Sequence, residues 1–304
     1  MGKPLAGCLV VCCLSVWSWL GEGSTAARAA EPAEPAKGLR IAWQDDFLTI
    51  RGDFPGGEIR IHYLEAYCRP GSTDRDWKET VIGHTTVLAA ENPNGREIRL
   101  KDTLRDGVTV EHTITAGVDE VDFRLTAHNP TERESLAAWA QPCIRVDKFT
   151  GNSTDDQNEK QPQYIRRCFL FIDNKLTRLP TEPWADKARY VYGQVYCPAG
   201  VDRDDVNPRP LSKLVPSNGL CGCFSADEKW IMAVAWEPYQ EIFQGVAVCL
   251  HNDFRIGGLK PGETKKIRGK IYVVPADPKK LLERFERDFP EQAAKKNENR
   301  KPSE

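Results

Sequence analysis

Alternation with a period of two runs through most of the chain. Ile59, Ile61 and Tyr63 fall on one side of an extended segment, and Arg60, His62 and Leu64 on the other. Val108, Val110, His112 and Ile114 alternate with Thr109, Glu111 and Thr113, and Val121, Phe123, Leu125 and Ala127 with Asp122, Arg124, Thr126 and His128. Successive strand side chains point to opposite faces, so this pattern predicts half-buried antiparallel strands. Turn formers separate them at Pro55-Gly56-Gly57, Pro93-Asn94-Gly95, Arg105-Asp106-Gly107 and Asn129-Pro130. Further strands are predicted near 165–171, 189–197, 219–225, 230–236, 244–250 and 266–274. One helix stands out. Asp277 caps it, Pro278 suits its first position, and Leu281, Leu282, Phe285 and Phe289 form one apolar face before Pro290. The pattern predicts an all-β fold, a large two-sheet antiparallel supersandwich with one C-terminal amphipathic helix.

Composition divides the chain. Lys3, the apolar run from Pro4 to Leu20 and the small-residue step Ala27-Arg28-Ala29 predict a signal peptide over 1–29. The run is short for a bilayer span, so cleavage and a secreted or periplasmic location are expected, with no membrane partner afterwards. Residues 30–38 read as a Pro/Ala/Glu linker, 39–290 as a single β-sandwich domain and 291–304 as a disordered polar tail. With 42 basic and 44 acidic residues and no long basic patch, nucleic acid is excluded as a partner. Seven cysteines follow the signal: Cys68, Cys143, Cys168, Cys197, Cys221, Cys223 and Cys249. An odd count leaves at least one thiol outside any disulfide, and most lie in apolar alternating stretches as buried small residues. Cys221-Gly222-Cys223 is too tight for a zinc pair, and no zinc set is legible.

Three stretches resemble the galactose-mutarotase type of β-sandwich. They are Phe123-Arg124-Leu125-Thr126-Ala127-His128-Asn129, the hairpin Ser225-Ala226-Asp227-Glu228-Lys229-Trp230 leading into Ile231–Trp236, and Leu259-Lys260-Pro261-Gly262-Glu263-Thr264 after a strand. The resemblance implies the sandwich fold and a saccharide context. In that family a glutamate on the strand before the Pro-Gly-Glu turn acts as general base, with histidines as acid and oxygen-binding groups. Here that strand reads Val246-Ala247-Val248-Cys249-Leu250-His251, and the histidine motifs are not found around His84, His112 or His128. The epimerase reaction is therefore not implied.

Two polar loops, 150–160 and 199–210, carry carboxylates and amides that suit sugar hydroxyls or calcium. His251 with Asp253 is the candidate acid/base pair, and Asp205 a candidate catalytic carboxylate. Trp236 beside Glu237 reads as a stacking platform with a carboxylate next to it. Trp139 and Trp184 are further platform candidates, while Trp43 and Trp230 read as core. Pro208 and Pro210 hold Arg209 rigidly beside Asn207, which suits a carboxylate or sulfate. His62 and Arg60 share a strand face and line a surface for an acidic sugar. Asp202 and Asp204 are candidate calcium ligands, although the loop lacks the glycine and closing glutamate of a calcium hand; no other cofactor is implied. His112 and His84 read as ordinary core histidines. The expected function is an exported carbohydrate-recognising protein, with anionic polysaccharide among its ligands, that processes glycans as a hydrolase or lyase. The alternative is a non-catalytic extracytoplasmic binding or surface module. Oligomeric state is not legible.

Overall fold

The computed structural model describes residues 38–71, 76–152, 162–182, 195–206 and 211–292. The first half contributes β1 (Arg40–Gln44), β2 (Phe47–Arg51), β3 (Glu58–Cys68), β4 (Val81–Ile82), β5 (His84–Glu91), β6 (Glu97–Leu104), β7 (Thr109–Ala116), β8 (Glu120–His128) and β9 (Trp139–Arg145). The second contributes β10 (Cys168–Ile172), β11 (Lys175–Arg178), β12 (Cys221–Phe224), β13 (Trp230–Glu237), β14 (Tyr239–Gly245), β15 (Cys249–Arg255) and β16 (Thr264–Pro275). One sheet runs β1-β2-β3-β9-β15-β14, with β4 beside β3; the other has nine strands, β11-β10-β12-β13-β16-β8-β7-β6-β5. Every strand pairing is antiparallel. The fold is the two-sheet all-β sandwich that the alternation predicts.

The main core lies between the sheets, where Ile59, Ile61, Ile144, Leu250 and Phe254 of one meet Val110, Phe123, Leu125, Val234 and Ile271 of the other. His112 is held there as a satisfied core residue. Its Nδ1 lies 2.8 Å from the Tyr63 hydroxyl and its Nε2 3.0 Å from Asp102 Oδ2, and the Tyr67 hydroxyl donates to the same carboxylate. The outer face of the nine-stranded sheet is covered by the C-terminal helix (Pro278–Asp288) over β10, β12, β13 and the end of β16. Asp277 caps it through the Lys280 amide, and Leu281, Phe285 and Phe289 pack on Phe169, Phe224, Ile231 and Tyr272. Among the described residues no helix is long and apolar enough to cross a membrane.

Two predicted strands are corrected, and a third, at 189–197, lies mostly outside the described residues; the one at 165–171 begins only at Cys168, after the 3-10 turn Gln163–Arg167. The run at 244–250 is not one continuous strand: β14 ends at Gly245, residues 246–248 make the turn of a hairpin, and β15 begins at Cys249. Val248 takes a positive φ of 50° and its carbonyl accepts from the Val146 amide, so a β-forming residue sits where turn residues are expected. β14 itself is hidden in sequence because Gln240, Glu241 and Gln244 are polar yet wholly buried.

Candidate functional site

The outer face of the smaller sheet carries two rows of paired residues. Arg60 stands opposite Arg145, Arg145 opposite Cys249, and Cys249 opposite Gly245. In the next row His62 faces Cys143, Cys143 faces His251, and His251 faces Phe243. Paired positions share a sheet face, and neighbours such as Ile144 and Leu250 point into the core. Two covering segments bank this face. Val195, Cys197, Val201 and Val206 pack on Phe243, and Trp77 and Val81 pack with Ala66, Cys68 and Trp139.

Between them opens a pocket of about 210 Å³. Trp77, Phe243, Val246 and Ala247 give apolar walls, and Glu65, Gln141, Arg145 and His251 give polar ones. Asp76 caps the short helix that presents Trp77 (Trp77–Thr80), and a register shift between His62 and Ala66 accompanies the placing of Glu65. Arg145 donates to the Ala247 carbonyl at 3.1 Å and also lines a neighbouring cleft with Arg60, Glu58 and Lys148.

His251 forms the floor. Its ring stacks on Phe243 at 4.3 Å between centroids, almost coplanar at 5°. Its Nε2 lies 3.3 Å from Cys249 Sγ, and its Nδ1 lies 3.3 Å from the Gln141 amide and 3.7 Å from Asp253 Oδ1. Burial pushes the imidazole down, but the charge on Cys249 and the Asp253 carboxylate outweigh it and raise His251 to about 10. The hydrogen bond from Cys143, aided by His251, holds the Cys249 thiol well below its ordinary range against burial. That contact and burial push Cys143 up. Burial raises Asp253 to about 7 although His251 opposes it. Asp253 is wholly buried and neither of its oxygens accepts a hydrogen bond. The cluster offers a histidine between a carboxylate and a thiol, and two sulfurs with one imidazole nitrogen converging beside a cavity.

His251 and Asp253 are therefore brought together, and His62 and Arg60 share their sheet face. Phe47 stacks with the His62 ring at 5.2 Å, and Arg60 lies over Phe47 at 4.3 Å. The remaining expectations change. Trp236 is no platform, being 1% exposed between the sheets and packed on Phe123 and Phe254. Trp139 is likewise buried, in the Ala66–Cys68 cluster. Glu237 lines clefts with Pro238, away from the His251 pocket. Asp205 is not poised as an acid or base, because it is clamped. Its carboxylate accepts from the Gly71 amide at 2.9 Å and from Arg255 at 3.1 Å, while Gln240 donates to its carbonyl. Asp202 spends its carboxylate capping the turn Arg203–Asp205 through the Asp204 amide. Asp202, Asp204 and Asp205 form no ligand set, so the structure gives the calcium expectation no support among the described residues. Asn207, Arg209 and Trp184 lie outside the described residues.

Sequence reasoning missed Cys143, Cys249, Gln141, Arg145, Glu65, Trp77 and Phe243. The available signal was parity, since Cys143 and Arg145 alternate with core Ile144, and Cys249 and His251 with core Leu250. No disulfide forms among the seven cysteines, and all are buried.

No protein-family model matches the chain, and no curated protein matches it. Among solved structures it is similar to a galactose mutarotase-like protein from Lactobacillus casei, at 9% identity and a TM-score of 0.40, over 78% of this chain and 100% of that one. It is also similar to a galactose mutarotase-like protein from Clostridium acetobutylicum, at 9% identity and 0.42, over 78% and 99%. A polysaccharide lyase matches at 10% identity and 0.29, over 78% of this chain and 33% of that one. The likeness is distant and is one of fold.

Proposed function

We propose that the chain recognises carbohydrate and that one sugar ring enters the pocket above His251. The observation that carries this reading is the mixed lining of that pocket. Trp77, with Val246 and Ala247, offers apolar surface to a ring face, while Glu65, Gln141, Arg145 and His251 offer donors and acceptors to hydroxyls. A volume of about 210 Å³ lies below the usual range for drug-sized ligands, which suits a single ring. Arg145 lines both this pocket and the neighbouring cleft that Arg60, its register partner, also lines, so an acidic group directed toward that cleft meets positive charge. Export remains part of the proposal on the N-terminal sequence pattern alone.

Calorimetric titration with neutral and acidic mono- and oligosaccharides tests the reading. Binding that Trp77→Ala weakens at least tenfold supports it; binding indifferent to Trp77→Ala, or none across the panel, sinks it. A second reading, glycan processing, is favoured by the 3.7 Å approach of His251 to Asp253 at the pocket floor. New reducing ends or unsaturated products after incubation mark that case, and bound but unchanged sugar marks a binding module.

A further inference from the structure

We propose that Cys143, Cys249 and His251 form a binding site for a thiophilic divalent metal ion, with zinc as the ion the donor set matches. The two sulfurs and one ring nitrogen all lie within 4.8 Å of one another, and they form the one convergent set of three or more potential ligands among the described residues. Tetrahedral zinc, with bonds of about 2.3 Å to sulfur and 2.0–2.1 Å to nitrogen, separates its ligand atoms by roughly 3.5–3.8 Å. The observed 3.3 Å between Cys249 Sγ and His251 Nε2 is close to that spacing before any ion draws the ligands into place.

The backbone fixes the set from two strands. Cys143 stands opposite His251, and Cys249 precedes His251 by two residues on the same sheet face. That register also speaks against a disulfide. Diagonal positions are about 7–8 Å apart, beyond the usual Cα separation of a disulfide. Both cysteines are unbridged.

The surroundings match what a metal-bound histidine needs. With Nε2 turned to the sulfurs, Nδ1 points at Gln141 and Asp253, the carboxylate–histidine arrangement that orients metal ligands. Asp253 is a fully buried carboxylate whose oxygens accept no hydrogen bond. A metal ion on Nε2 fixes the Nδ1–H tautomer, whose proton faces the Asp253 carboxylate, and turning the Gln141 amide gives its unpartnered Oε1 the same proton to accept. Cys143, Cys249 and His251 all line the pocket, so a fourth position opens to solvent or ligand, as in sites with three protein ligands. On binding, both sulfurs coordinate as thiolates and His251 through a deprotonated Nε2, so whatever protons Cys143, Cys249 and Nε2 carry pass to solvent while Nδ1 keeps its own. Sequence spacing hides the set, because its two strands lie far apart along the chain.

The inference does not depend on the carbohydrate reading, and its test contains no sugar. The full chain, reduced and stripped by chelation, is titrated with cobalt(II) as the spectroscopic probe. The expected result is thiolate-to-cobalt absorption that saturates at one ion per chain and is bleached by zinc. Cys143→Ala and Cys249→Ala should each weaken binding at least tenfold, and Asp253→Asn about 10–100-fold. Cys223→Ala, in the core between the sheets, should leave it unchanged. No saturable absorption, or equal absorption in both pocket-cysteine variants, overturns the proposal. Should those variants fail to fold, thiol alkylation of the wild-type chain decides. Zinc protection of the Cys143 and Cys249 peptides supports the site, and equal alkylation with and without zinc, or a Cys143–Cys249 disulfide in the isolated protein, overturns it.

Discussion

Gly245 is the position where the packing of the cluster can be tested without removing any of its members. A Cβ built there lies 2.6 Å from Cys249 Sγ, 3.2 Å from His251 Nε2 and 3.4 Å from His251 Cδ2. Ordinary carbon contacts sit at about 3.5–4.0 Å, so the sulfur must move by roughly 1 Å. The backbone has little room to retreat. Gly245 is paired with Cys249 across the hairpin, and its carbonyl accepts from the buried Tyr164 hydroxyl. Rotating the Cys249 side chain relieves the clash but carries the sulfur away from His251. Gly245→Ala should therefore cost about 1–3 kcal/mol, the range for overpacking a filled interior. In urea denaturation the midpoint should fall with an unchanged slope, and cobalt affinity should drop with it. An unchanged midpoint together with unchanged cobalt binding would refute the crowding inferred around Cys249 and His251.

Three further outcomes follow from the same geometry. Asp205→Ala leaves the Gly71 amide and Arg255 without their carboxylate and should destabilise by about 1–3 kcal/mol in denaturant titration; loss of activity at unchanged stability would return Asp205 to a chemical role. Trp236→Ala should cost about 3–5 kcal/mol as a core cavity while the folded fraction keeps its sugar affinity, and lost affinity at full stability would contradict its placement between the sheets. Burial pushes Asp102 up, but His112 and its hydrogen bonds outweigh this and hold it below 3.8. A carboxyl lowered by folding contributes stability above its unfolded value and loses it as pH falls through the folded one. The stability advantage of the wild type over Asp102→Asn should thus be full at pH 7 and shrink below about pH 4, and an advantage that grows with acidity would reverse that sign.

The elements legible in sequence are those with one wet face. β3, β7, β8 and β16 alternate because one side packs in the core and the other meets solvent or a polar edge. β9, β14 and β15 do not alternate in burial, since the 195–206 segment and the Trp77 helix cover their outer face. Polar side chains that elsewhere mark the surface are here buried, which hid β14 entirely. Trp236 misled for a related reason. On β13 both faces are covered, Met232, Val234 and Trp236 by the other sheet and Ile231, Ala233 and Ala235 by the helix, so parity carries no exposure signal. His251 and Asp253 were legible as a titratable pair at spacing two. Cys143 was not, because a cysteine in an apolar run reads as a small hydrophobe until strand register places it opposite a histidine.

The most direct test of the pocket as the ligand site is a crystal structure with the tightest-binding saccharide from the calorimetric panel. A sugar ring lying against Trp77, with hydroxyls in reach of Glu65, Gln141, Arg145 and His251, is the expected result. A sugar bound instead in the clefts beside Glu237 or Lys148, with the His251 pocket closed to it, would contradict the reading.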